Sequence, residues 1–158
     1  MLHGLAPVID QRARVLILGS FPSTASLAAQ QYYAHPQNQF WRILGAVLDL
    51  PLKEMDYADR IVAVQLAGIA IWDVFASCER AGSLDAAIRD ARPNDLALLQ
   101  KSASALRRIC FNGRMAARRI REVEALGFEA LVLPSTSPAH AGMSFAEKLA
   151  RWRAALQP

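Results

Sequence analysis

The chain has 158 residues, 53% of them hydrophobic, which suits one domain with a well-formed core and excludes intrinsic disorder. No apolar run reaches the length of a membrane span, and Met-Leu-His-Gly-Leu lacks a signal peptide's basic start and apolar core. The net charge of +4 is uneven, −2 over residues 1–100 and +6 over residues 101–158, with arginine supplying 15 of the 18 basic groups. The basic half fits either a polyanionic partner or a solvated helix face at 114-RMAARRIRE-122.

In chain order, the first clear element is the apolar run 15-VLILG-19, a buried strand that breaks into the loop 20-SFPS-23. The run 32-YYAHPQNQFW-41 follows, richer in rings and amides than a core segment needs. Helical periodicity then covers 39–48 and 57–67, before a second apolar strand at 68-GIAIWDVF-75. A helix at 95–106 leads to a strand at 107-RRICF-111, and a helix at 114–126 stops at Gly127, placed as a C-terminal cap. The fourth strand is 130-ALVLP-134. The last helix starts at Ser144, whose pairing with Glu147 makes a capping box, and runs through 148-KLARWRAAL-156. Cys78 and Cys110 both sit in apolar settings and are expected to be reduced core thiols of a cytoplasmic protein.

Strands alternating with helices predict an α/β fold, a three-layer α/β/α arrangement around a central four-stranded parallel sheet. No linker or repeat interrupts it, so residues 1–158 read as a single domain. Ligands of such sheets sit outside the carboxyl ends of the strands. The exit segments there are Ser20 to Ser23, Asp73 onward, Asn112-Gly113 and 134-PSTSPAH-140. Each has a plain structural reading. The first lacks a phosphate loop's glycines and lysine, Asn112-Gly113 serves equally as a turn, and the hydroxyls of 135-STSPA-139 suit local backbone capping. Asp73 differs, because a carboxylate ending an apolar strand is costly without a partner or a task. His35 and His140 lack metal-ligand spacing.

The segments 18-LGSFPS-23, 33-YAHPQNQFW-41, 69-IAIWDV-74, 111-FNG-113 and 133-LPSTSPAH-140 give the chain, from about Val15 to Trp152, a resemblance to the uracil-DNA glycosylase superfamily. The pattern is most similar to its hypoxanthine-DNA (deoxyinosine) glycosylase branch. The resemblance implies a monofunctional enzyme that flips a deaminated base, preferentially hypoxanthine, out of DNA and hydrolyses its N-glycosidic bond with water and no cofactor or metal. Partners implied are damaged DNA only, with no membrane, for a monomer. The rival readings are a mismatch-specific uracil or ethenocytosine glycosylase, and an inactive nucleic-acid-binding domain of the same fold.

By the same resemblance, Tyr33 stacks on the extruded base, and Ser20, Phe21, Asp73 and Asn112 surround it. Phe21 stands where many relatives carry an Asp or Asn that handles the water, and the resemblance moves the catalytic amide to Asn38. Asp73 accepts the N1–H of hypoxanthine, although uracil N3–H fits too. Backbone amides in 20-SFP-22 donate to the base carbonyl. Leu133 replaces the His that donates to the leaving base in several relatives. Ser23, Ser135, Thr136, Ser137, His140, Arg114, Arg118 and Arg119 are implied DNA-backbone contacts, and Met143 is either an apolar wedge or core. Phe40 and Trp41 anchor the next helix in the core.

Overall fold

A computed structural model describes residues 1–138 and 142–157 of the chain. In chain order its elements are β1 (Leu2–His3), β2 (Val15–Gly19), α1 (Thr24–Ala29), α2 (Phe40–Leu48), α3 (Tyr57–Leu66), β3 (Ile69–Asp73), β4 (Phe75–Glu79) and β5 (Arg89–Pro93). After these come α4 (Leu99–Ser102), β6 (Arg108–Asn112), α5 (Arg114–Ala117), α6 (Ile120–Ala125), β7 (Glu129–Leu133) and α7 (Phe145–Leu156). Strands β2, β3, β6 and β7 form a parallel sheet in the order β3-β2-β6-β7. The expected three layers follow from the period of two along each strand. Ile17, Ile69, Ile71 and Cys110 pack on one face with Phe40, Trp41 and Leu44 of α2, Val64 of α3 and Trp152 of α7. Leu16, Leu18, Ala70, Trp72, Ile109 and Phe111 pack on the other with Leu96, Leu99, Ala116 and Val123. Both cysteines are buried free thiols. Among the described residues no helix is long and apolar enough to cross a membrane.

Three departures from the predicted elements matter for the site. The strand expected over 68–75 divides at Val74, whose N–H donates to the Gly19 carbonyl at 2.7 Å, while Phe75 N–H donates to that of Ser20 at 3.1 Å. Beyond that point β4 leaves the parallel sheet and pairs antiparallel with β1 and β5, making a second, three-stranded sheet. The predicted helix 95–106 shrinks to a 3-10 turn at Leu96–Leu98 followed by α4, and the one at 114–126 breaks into α5 and α6. The caps match expectation: Ser144 Oγ accepts from Glu147 N–H at 3.2 Å, and Gly127 adopts φ +93°.

Candidate active site

All four exit segments of the parallel sheet, together with the 32–41 run and the turn between β4 and β5, surround one open cavity of about 240 Å³. This is smaller than the roughly 300–1,000 Å³ typical of sites for drug-sized ligands. Its lining mixes hydroxyls, amides and carboxylates with aromatic rings because strand ends, rather than strand faces, meet there.

Tyr33 enters this cavity from a backbone conformation that side chains rarely adopt, φ +55°. Such a conformation costs on the order of 1–3 kcal/mol and persists only where neighbours overdetermine it. Side chains hold the peptides on both sides. Tyr57 Oη accepts from Tyr32 N–H at 3.0 Å, Trp41 Nε1 donates to the Tyr32 carbonyl at 3.0 Å, and Ser26 Oγ accepts from Ala34 N–H at 3.0 Å. The Tyr33 ring stacks on Phe40, centroids 4.0 Å apart, and its buried hydroxyl has no hydrogen-bond partner among the described residues. Burial, and then the charge of Asp73, raise its pKa; the Asn112 amide lies close enough to temper the rise, but its hydrogen bonds go to Thr136. Phe40 and Trp41 are core residues, as expected.

Asp73 ends β3 and lies opposite Gly19 in the register of the sheet. It is 5% exposed, and its Oδ2 also lacks a partner among the described residues. Burial, reinforced by the Asp85 carboxylate and opposed by Arg80, pushes its pKa up to about 7. Gly19 leaves the space that Asp73 and Tyr33 occupy. A β-carbon there would fall 2.6 Å from Asp73 Oδ1 and 3.0 Å from Tyr33 Oη. Gly19→Ala is therefore expected to displace the carboxylate, cost about 1–3 kcal/mol by overpacking, and narrow the cavity. Thermal melting reports the packing cost directly.

Asn38 lines the cavity from the start of α2. Its Oδ1 accepts from Phe40 N–H at 2.9 Å, one of the donors a helix leaves free at its first turn, so Nδ2 is the end of the amide available to the cavity. Asn112 is held at both ends by Thr136, donating to its hydroxyl at 3.0 Å and accepting from its N–H at 3.0 Å. The Thr136 carbonyl in turn accepts from Gln39 N–H at 3.0 Å. Pro134 O takes the indole N–H of Trp152 at 2.9 Å, and Gln39 Oε1 takes Lys148 Nζ at 3.0 Å. The exit segments of β6 and β7 and the start of α2 are thus one braced unit.

Several implied contacts change on this geometry. Thr136 is fully buried with its hydroxyl on Asn112, which is a brace between two loops and not a phosphate contact. Asn112 likewise spends both ends of its amide on that brace. Ser23 caps α1, accepting from Ser26 N–H at 3.1 Å and donating to Ser26 Oγ, so its hydroxyl is committed locally. Phe21 is buried against Cys78 and Ile88 yet reaches the cavity. Ser20, Ser135 and Ser137 also line it, Ser135 Oγ accepting from Ser137 N–H. Leu133 is buried in the core. Arg114 and Arg118 lie exposed on and after α5 and do not line the cavity, and Arg119 pairs with Glu122 at 3.1 Å. His140 lies outside the described residues.

The sequence reading missed the turn between β4 and β5. Leu84, 61% exposed, and Asp85 stand at the cavity's edge. Asp85 Oδ1 accepts from Ser20 Oγ at 2.7 Å, and Ser83 Oγ accepts from Thr24 N–H at 2.9 Å. Arg80 ties the turn to the β2 exit, donating to Gly82 O and Pro22 O, both at 2.7 Å, with its guanidinium 5.2 Å from the Phe21 ring centre. Among the described residues no group of three or more His, Cys, Asp or Glu side chains is placed to hold a metal ion.

Comparison with known proteins agrees with this architecture. The sequence profile of the Uracil DNA glycosylase superfamily matches residues 6–157. Two proteins called hypoxanthine DNA glycosylase, from Methanosarcina barkeri and Methanosarcina acetivorans, are 37% and 40% identical over 138 residues, 87% of this chain and 87% of theirs. A solution NMR structure of a candidate uracil DNA glycosylase from Methanosarcina acetivorans superposes with a TM-score of 0.89 at 38% identity, covering 98% of this chain and 95% of its own. With a strand-end cavity of this construction and a match over nearly its whole length, the chain belongs to the uracil-DNA glycosylase superfamily.

Proposed function

We propose that this protein is a DNA glycosylase that removes hypoxanthine from deaminated DNA by hydrolysing the N-glycosidic bond and leaving an abasic site. The observation that carries the reading is the 37–40% identity, over most of the chain, to two relatives both called hypoxanthine DNA glycosylase. The site suits the chemistry. An extruded base loses its stacking neighbours and needs an aromatic face and edge-on hydrogen bonds in return. Tyr33 supplies a ring already braced on Phe40, and Asp73 the acceptor for N1–H; the Tyr33 hydroxyl and Asp73 Oδ2 have no partner in the free protein among the described residues. The Nδ2 of Asn38 points a donor at the water that attacks the anomeric carbon, and such positioning supplies a large part of a barrier without any proton transfer by the amide. Ser135 and Ser137 at the rim, with Arg114, Arg118 and Arg119 further out, contact phosphates, and binding weakens steeply with salt.

The enzyme acts as a cytoplasmic monomer, one domain with no cofactor. The test is incubation with duplex oligonucleotides carrying one hypoxanthine, uracil or xanthine, followed by scoring of abasic sites. Release of hypoxanthine in preference to the others is expected. Preferential release of uracil would replace this reading with a uracil glycosylase, and DNA binding without release of any base would make the chain a binding domain.

A further inference from the structure

The parallel sheet's first exit loop offers Phe21 at the cavity and no carboxylate of its own. A carboxylate nonetheless stands beside that loop, delivered from 65 positions away by the turn between β4 and β5. Ser20 Oγ donates to Asp85 Oδ1 at 2.7 Å, which aims the acid at the β2 exit and leaves Oδ2 for another partner. The turn is anchored on both flanks of Asp85. Thr24 N–H and Arg80 hold Ser83 and Gly82 before it, and Ile88 N–H donates to the Asp85 carbonyl at 3.1 Å after it. Asp85 lies close enough to both Asp73 and Tyr33 for its charge to act on their ionisation. A second observation makes this more than a pair of acids: Asp73, 95% buried in the same cavity, keeps Oδ2 without a partner among the described residues, as a group awaiting a ligand does.

We infer that Asp85 is the carboxylate of the hydrolytic step: it takes the proton of the attacking water and faces the positive charge that develops on the sugar. This assignment rests on the glycosylase reading above and adds a residue to it. Asp73 lies at the buried floor, where the base goes, and Asp85 at the exposed edge, where sugar and water meet. As the water oxygen bonds to C1′, the C1′–N bond breaks and its electron pair leaves with the base. The water's proton passes to Asp85 and then to solvent, and the base is protonated by solvent, so the sum is the addition of one water. Cleavage through an oxocarbenium-like sugar gains from a nearby carboxylate in both roles. Asn38 then needs only to hold the water in line.

The experiment is single-turnover excision from a hypoxanthine-containing duplex by the full chain and by Asp85→Asn and Asp85→Ala, with DNA affinity measured alongside. Asp85→Asn keeps an oxygen for Ser20, so the turn is preserved. The excision rate of Asp85→Asn is expected to fall about 10²–10⁴-fold with DNA affinity nearly unchanged. Added formate should restore part of the rate to Asp85→Ala, which a purely structural role would not allow. An Asp85→Asn rate within about threefold of the parent, or a loss that follows weakened DNA binding, would overturn the assignment while leaving the enzyme's activity intact. No excision by the parent would instead sink the glycosylase reading itself.

Discussion

Asp73→Asn is expected to melt at a higher temperature than the parent at pH 8, with the difference shrinking as pH falls from 7 towards 4. The unfolded chain ionises this carboxyl near 3.8, whereas burial first, and the Asp85 charge second, hold it near 7 in the folded protein. A folded-state pKa raised in this way favours folding at low pH and loses that contribution as pH rises through 7. Above 7 the parent therefore carries in its core an ionised carboxylate whose Oδ2 has no partner among the described residues, while below about 4 the group is protonated in both states. The interval is about three pH units, or on the order of 4 kcal/mol at full effect. For a chain of this size that corresponds to a melting difference on the order of 10 °C. Asparagine removes the charge and keeps the volume. A parent that is the more stable of the two at pH 8 would mean that Asp73 has a partner in the free protein.

The same substitution separates stability from recognition. Asparagine presents both a donor and an acceptor where an ionised Asp73 only accepts. Hypoxanthine excision is expected to slow, and the order of preference among bases to change. A variant that is more stable yet less selective is what a residue kept for binding at the expense of folding produces. Unchanged rates on every base would remove Asp73 from recognition.

What the sequence disclosed and what it concealed divide along one physical line. The four parallel strands were legible because they read as continuous apolar runs, β2, β3 and β6 being largely buried on both faces and the edge strand β7 only in part, and they end where the structure ends them to within a residue or two. Their polar exits followed from that placement, and Asp73 from the cost of a carboxylate there. The second sheet was not legible. β5 is 89-RDARP-93, mostly exposed and rich in charge, with Asp90 at φ +52° and a proline at its end, so neither alternation nor propensity marks it. Asp85 was concealed with it. Its significance comes from a hydrogen bond to Ser20 across 65 residues, which no local pattern encodes. Thr136 shows the converse error. A hydroxyl in a loop reads as available, and only the fold reveals that Asn112 and Gln39 use its polar groups.

Asn38→Ala is expected to lower the hypoxanthine excision rate about 10²–10³-fold, the usual effect of deleting one positioned hydrogen-bond donor from a reacting centre. Alanine also strips Phe40 N–H of its acceptor, which costs roughly 1 kcal/mol of stability through the start of α2. That second loss could imitate the first by loosening Phe40, on which the Tyr33 ring stacks. Asn38→Asp separates them. Its carboxylate accepts from Phe40 N–H at least as well as the amide does, and negative charge is favourable at a helix N-terminus, so the turn into α2 and the melting temperature should hold. It has no N–H to offer the cavity. If the Nδ2 donor orients the water, the aspartate variant stays folded and binds DNA but excises as slowly as the alanine variant. If Asn38 matters only by bracing the turn before α2, aspartate restores the rate with the parent's pH profile, whereas a carboxylate that takes over the water restores it with an added dependence on its own ionisation. Melting temperature and single-turnover excision on the two variants decide between a residue that works through α2 and one that works on the water.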